Sequence, residues 1–81
     1  MKNTEDCKLL VNELIDMNVH HREIVRKIGR YVAEDGGNEQ LMNALQNYLE
    51  KLDAEADAVR SLYVVVENLI ADDWLNRAKH K

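Results

Sequence analysis

Four groups of side chains in this 81-residue chain have types and spacings that could do chemistry. His20 and His21 stand near Asp16 and Glu23. Asp16 and His20 are one helical turn apart, so both could touch a single metal ion. Against this, His21 falls within an apolar row while His20 points elsewhere. His21 then reads as a polar seam residue that fixes helix register, or as a side chain that changes charge near neutrality. Glu50, Asp53 and Asp57 share one helical face, an arrangement that all-helical nucleotide hydrolases use to hold magnesium. Such a site needs a second acidic pair on a facing helix, and the first half of the chain offers only Glu13 and Asp16 away from its ends. A solvated acidic face is the better reading. Arg22, Arg26 and Arg30, with Lys27 beside them, form a basic stripe that is a candidate nucleic-acid contact if a dimer doubles it. Because Glu23 and Lys27 make an ordinary i,i+4 pair, a solvated face competes with that reading. Cys7 has only a helix start to activate it, with Glu5 and Asp6 working against a thiolate, and it reads as a small buried hydrophobe. No catalytic residue, metal ligand or cofactor site is expected, and the chain reads as a non-enzyme.

The elements that carry these groups follow from apolar spacing. From Met42 onward, apolar residues fall three and four apart through Leu45, Leu49, Leu52, Ala56, Val59, Tyr63, Val66 and Ile70. That is a heptad seam. A second row runs beside it through Leu41, Tyr48, Leu62 and Leu69, interrupted only by Glu55. Two adjacent rows make a face wider than a two-stranded coiled coil needs, and such a face wants two or more neighbouring helices. The seam residues Leu45, Leu49, Leu52, Val59, Tyr63, Val66 and Ile70 are therefore expected in the core or at a dimer interface.

The first half has its own seam at Cys7, Leu10, Leu14, Met17, His21, Ile24, Ile28 and Tyr31, widened by Val11, Val25 and Val32. Ile15 and Val19 lie off this stripe, so the face rotates or the helix is cut near Asn18. Thr4 is the expected N-cap, with Glu5 and Asp6 suiting the helix dipole. Gly29 weakens the helix interior and marks a place for close helix approach. Between the halves, Asp35-Gly36-Gly37-Asn38 is the one clear punctuation. A glycine there takes the left-handed position, Asn38 caps the next helix, and the short connection implies antiparallel neighbours. Helices are expected over about 5–34, 39–52 and 54–77. Asp53 would cap the third, although no Gly or Pro between 50 and 60 prevents the second and third from being continuous. Trp74 and Leu75 lie past the end of the seam as candidate partner anchors or as a seal on the bundle end.

Composition narrows the function classes. Proline and phenylalanine are absent, which suits an all-helical chain, and the single cysteine precludes an internal disulfide. That one thiol fits a reducing cytoplasm, and neither a signal peptide nor a membrane span is expected. A net charge of −4 repels nucleic acid over long range, leaving only a local basic patch to bind it. A chain this short buries little of its surface and gains from self-association.

The stretch from Glu23 to Asp73 resembles the YmgB/AriR family of small bacterial regulators, which includes YcgZ-like and YmgA-like connector proteins. The likeness is carried by Glu23-Ile24-Val25, Gly37-Asn38, Leu41, Leu45, Leu49-Glu50, Ala56-Asp57 and Val59-Arg60. Between Leu49-Glu50 and Ala56-Asp57 this chain is shorter than the family pattern. The resemblance implies a homodimeric all-helical protein that acts by binding, in biofilm formation, acid resistance and stress signalling through a two-component phosphorelay. DNA association has been considered for such proteins. The expectation is thus a single all-α domain over residues 1–81, a three-helix bundle completed by homodimerisation. Its function would be regulation through a protein of bacterial signalling, with a DNA-associated regulator or a phage- or plasmid-borne inhibitor of a host protein as alternatives.

Overall fold

The computed structural model describes residues 3–79, which form two helices, α1 (Thr4–Glu34) and α2 (Glu39–Lys79). They fold back on each other as an elongated antiparallel hairpin measuring 67 × 15 × 13 Å. Its radius of gyration is 19.0 Å, against about 12 Å for a compact domain of this length.

The turn is built locally. Gly36 and Gly37 have φ of 91° and 83°, the left-handed region in which a side chain would be strained. The Gly37 N–H donates to the Val32 carbonyl at 2.8 Å and the Gly36 N–H to Ala33 at 3.2 Å. This is the Schellman closure that satisfies the last carbonyls of α1. Asn38 then caps α2, its Oδ1 accepting from the Leu41 N–H at 2.9 Å.

The all-helical class agrees with the spacing, but the three-helix bundle does not. There is no break at Asp53, and the expected helices over 39–52 and 54–77 are one helix of 41 residues. Asp53 caps nothing because its carboxylate reaches across to Arg22 of α1, 2.7 Å away. Leu52, Ala56 and Val59 keep facing α1 straight through this segment. Thr4 is likewise not the N-cap. Asn3 occupies that position without a side-chain cap bond, while the buried Thr4 hydroxyl donates to Asp73 Oδ2 at 3.3 Å. That contact ties the open ends of the hairpin together. At Gly29 an added Cβ would meet nothing within 4 Å, so this glycine marks no close approach.

The packed row of α1 also differs from the expected seam. Thr4, Val11, Asn18 and Val25 are the buried residues of α1, each seven from the next. They meet Leu52, Val59 and Val66, again seven apart, on α2. Cys7, Tyr63 and Ile70 pack around the Val11–Val59–Val66 cluster. A strict seven-residue repeat is what a straight two-helix seam requires. Leu10, Met17, Ile24 and Tyr31, expected to be packed, are exposed. α1 runs uncut through Asn18, which is buried between the helices.

Candidate interaction surface

The hairpin has two unlike sides, and helical geometry decides which residues fall on each. On one side lie two ion pairs between the helices. Lys8 meets Glu67 at 2.7 Å and Arg22 meets Asp53 at 2.7 Å. The Lys8 ammonium also stands 5.9 Å from the centre of the Tyr63 ring. Its hydrogen bond to Glu67, and then the charge of that carboxylate, raise the Lys8 pKa. Hydrogen bonds from Lys8 and then Tyr63 lower that of Glu67. A small apolar groove interrupts this charged side where Ile15 and Val19 meet Ala56 and Tyr63.

The other side is apolar along most of its length. On α1 it carries Leu10, Leu14, Met17, Ile24, Ile28 and Tyr31, all exposed, with Leu10 at 60% and Tyr31 at 66%. On α2 it carries the exposed Leu41, Tyr48, Leu62 and Val65, joined by Ala44 and Ala58 at the same helical angle. His21, Ile24, Ile28, Ala44 and Tyr48 together line one groove of about 330 Å³, which shows both helices contributing to this side. Lys51 and Glu55 sit in the middle of the α2 row as its charged residues. Runs of apolar side chains this long mark interaction sites rather than ordinary surface.

Between the two sides, at mid-height, lies a polar knot that the spacing argument passed over. The buried Asn18 donates from Nδ2 to the Leu52 carbonyl at 3.0 Å and to Glu55 Oε1 at 3.3 Å. Its Oδ1 accepts from Arg22 Nε at 2.9 Å, and Arg22 goes on to Asp53. The signal for Asn18 was present in the sequence as the seven-residue row Thr4, Val11, Asn18, Val25, Val32.

The other candidate residues fall as follows. Leu45, Leu49, Leu52, Val59, Tyr63, Val66 and Ile70 are buried or half-buried and face α1 within the same chain. Arg22 is half-buried and held by Asp53 and Asn18, which separates it from the exposed Arg26 and Arg30. Arg26, Arg30 and Lys27 surround a shallow depression with Glu23. Trp74 and Leu75 are 67% and 60% exposed, and Trp74 lines a cleft at the open end with Thr4, Asp73 and Arg77. The His20 and His21 rings are 6.5 Å apart and tilted. Asp57 pairs with Arg60 at 3.6 Å and Asp53 with Arg22, so the acidic triplet does not act as one cluster. Among the described residues, no group of three or more His, Cys, Asp or Glu is placed to hold a metal ion. Among the same residues, no helix is long and apolar enough to cross a membrane. Cys7 is a free thiol, half-buried against the core cluster.

No family model, curated protein or solved structure matches the chain.

Proposed function

We propose that this chain is a small non-enzymatic regulatory protein that works through protein–protein contact, with the apolar side of the hairpin as its interface. The observation that carries this reading is the uncovered double row on α1 and α2, with Leu10, Met17, Ile24, Tyr31, Leu62 and Val65 exposed together on one side. A side chain such as Met17 or Ile24 gains only when another surface removes it from water, at about 25 cal/mol per Å² of apolar area. The resemblance to two-component connector proteins points to the same mode of action, and a regulatory protein of bacterial signalling is the partner class it suggests. The DNA-associated alternative rests on the arginine stripe, and the engagement of Arg22 with Asp53 leaves it two arginines and Lys27 beside a net negative charge.

Site-specific photocrosslinking in living cells tests the reading. A photoreactive phenylalanine analogue replaces Met17, Ile24 or Leu62 on the apolar side, or Glu23 as a control away from it. Protein adducts are expected from the first three and not from Glu23. If none of the three yields a protein adduct in growing, stationary or acid-stressed cells, the interface reading fails. Purified protein sedimented with a short duplex at low and moderate salt tests the alternative, because binding that falls steeply with salt would move the working site to the arginines.

A further inference from the structure

We propose that the occupant of the apolar side is a second copy of this chain, packed face to face with the two turns at opposite ends. The product is a four-helix bundle whose register is set by reciprocal Lys51–Glu55 pairs. The proposal rests on the reading of that side as an interface and names its partner.

The first argument is area. The hairpin exposes 6652 Å². A compact monomer of 9.4 kDa exposes about 5,000 Å². The excess, roughly 1,600 Å² per chain, is of the size that a stable dimer removes from water, since obligate interfaces bury about 2,000 Å² or more over both partners.

The second argument is self-complementarity. In a two-fold interface, residue i of one chain meets residue j of the other and j meets i. The α2 row reads Leu41, Ala44, Tyr48, Lys51, Glu55, Ala58, Leu62, Val65. Laid antiparallel on itself about position 53, it sets Leu41 against Val65, Ala44 against Leu62, Tyr48 against Ala58 and Lys51 against Glu55. Tyr48 and Leu62 meet alanines, as interdigitated packing requires, and each charge meets its opposite, Glu55 through the carboxylate oxygen that Asn18 does not occupy. The α1 row is also symmetric about position 21, which sets Leu10 against Tyr31, Leu14 against Ile28 and Met17 against Ile24, apolar on apolar, with His21 at the centre. These two centres are level in the folded hairpin, because the 2.7 Å contact of Arg22 with Asp53 joins them directly. A single two-fold axis therefore serves both rows.

The competing arrangement, with both turns at one end, lays the α1 row of one copy on the α2 row of the other. The same level relation then sets Ile24 against Lys51, whose charge finds no acid across the interface. Opposite-end packing avoids burying that unpaired charge. It also leaves Trp74, Leu75 and the Arg26–Lys27–Arg30 patch outside the bundle.

Sedimentation equilibrium of the full chain, joined to two further measurements, tests the proposal. Lys51→Glu alone and Glu55→Lys alone are each expected to raise the dimer dissociation constant at least tenfold. An equimolar mixture of the two variants is expected to recover near-wild-type affinity, because the heterodimer restores both opposite-charge contacts. Spin labels at Glu34→Cys in a Cys7→Ala background are expected more than about 40 Å apart in opposite-end packing and less than about 30 Å apart in the alternative, from a 1.5 Å rise per residue. A mixture that fails to recover overturns the Lys51–Glu55 register, and a short label distance overturns the arrangement. A folded monomer at high micromolar concentration overturns the second copy. If Met17 then still crosslinks to a different protein, the interface reading survives its loss, and if Met17 crosslinks to nothing, both readings fall together.

Discussion

Asn18 is the residue on which the hairpin's internal register turns. It is 4% exposed in a row otherwise made of valines and one threonine, and it contacts Leu52, Glu55 and Arg22 at once. A single buried polar residue in a helical seam specifies alignment at some expense of stability. Asn18→Ala is expected to lower the unfolding free energy by about 1–3 kcal/mol, because it removes these hydrogen bonds and opens a gap beside them. Asn18→Val loses the same hydrogen bonds but fills part of the gap with the residue type of the rest of the row, so it is expected to cost less than Ala. Chemical denaturation of both variants checks this, and a loss for Val as large as for Ala would show that the lost hydrogen bonds, not the gap, govern the site.

The Lys8–Glu67 pair gives the hairpin a pH signature at the same scale. The Glu67 pKa is lowered, so its contribution is present above the unfolded carboxylate pKa and fades as pH falls through the folded one. That of Lys8 is raised, so its contribution is present below the unfolded lysine pKa and fades as pH rises through the folded one. Removal of the pair by Lys8→Met is therefore expected to lower Tm most between about pH 5 and pH 9, with the difference shrinking toward acid. Both side chains are 38% exposed, so added salt should shrink the difference further. An equal Tm decrement at every pH and salt concentration would assign the role of Lys8 to its aliphatic stem.

At the scale of elements, the turn was legible in the sequence and the helix count was not. Gly36, Gly37 and Asn38 act within a few residues of themselves, so their types alone determine the geometry. Asp53 suits a helix interior and a cap alike. What decides between them is packing against α1, where Leu52, Ala56 and Val59 keep one face and Arg22, thirty-one positions away in sequence, takes the Asp53 carboxylate. The facing of α1 was ambiguous for a related reason. Two apolar rows overlap on that helix, and spacing alone does not tell which one α2 covers. The apolar side itself was visible as excess width, but its division between a packed row and an open row needed the fold. Continuity of α2 makes a sharp prediction. In a three-helix chain Ala54 would be the first helical residue after an Asp53 cap, where proline is tolerated. In the single helix, proline at 54 removes a hydrogen bond and clashes with the preceding turn, so Ala54→Pro is expected to cost about 3 kcal/mol or more. Circular dichroism melts read the outcome, and a proline variant as stable as the parent would restore the break.

For the whole molecule, the governing fact is that the hairpin is long and its core thin. Among the described residues five apolar side chains are buried, and no large side chain is completely enclosed. Such a structure gains stability from any surface that covers its open side, and binding of that kind makes Tm depend on concentration. Shape separates the ways in which two copies could do this. Stacking two hairpins face to face displaces each centre by only about 5 Å, half of a typical interhelical spacing. The radius of gyration should therefore stay near 20 Å while the mass doubles. Association through the exposed Trp74 and Leu75 at the open end would instead set two 67 Å rods end to end and raise the radius to about twice the monomer's 19.0 Å. Small-angle scattering over a concentration series distinguishes the two. A doubled mass at nearly constant radius, with a Tm that climbs with concentration, places the second copy on the apolar side. A radius that grows with mass would assign self-association to the Trp74 end and leave the apolar side to another protein.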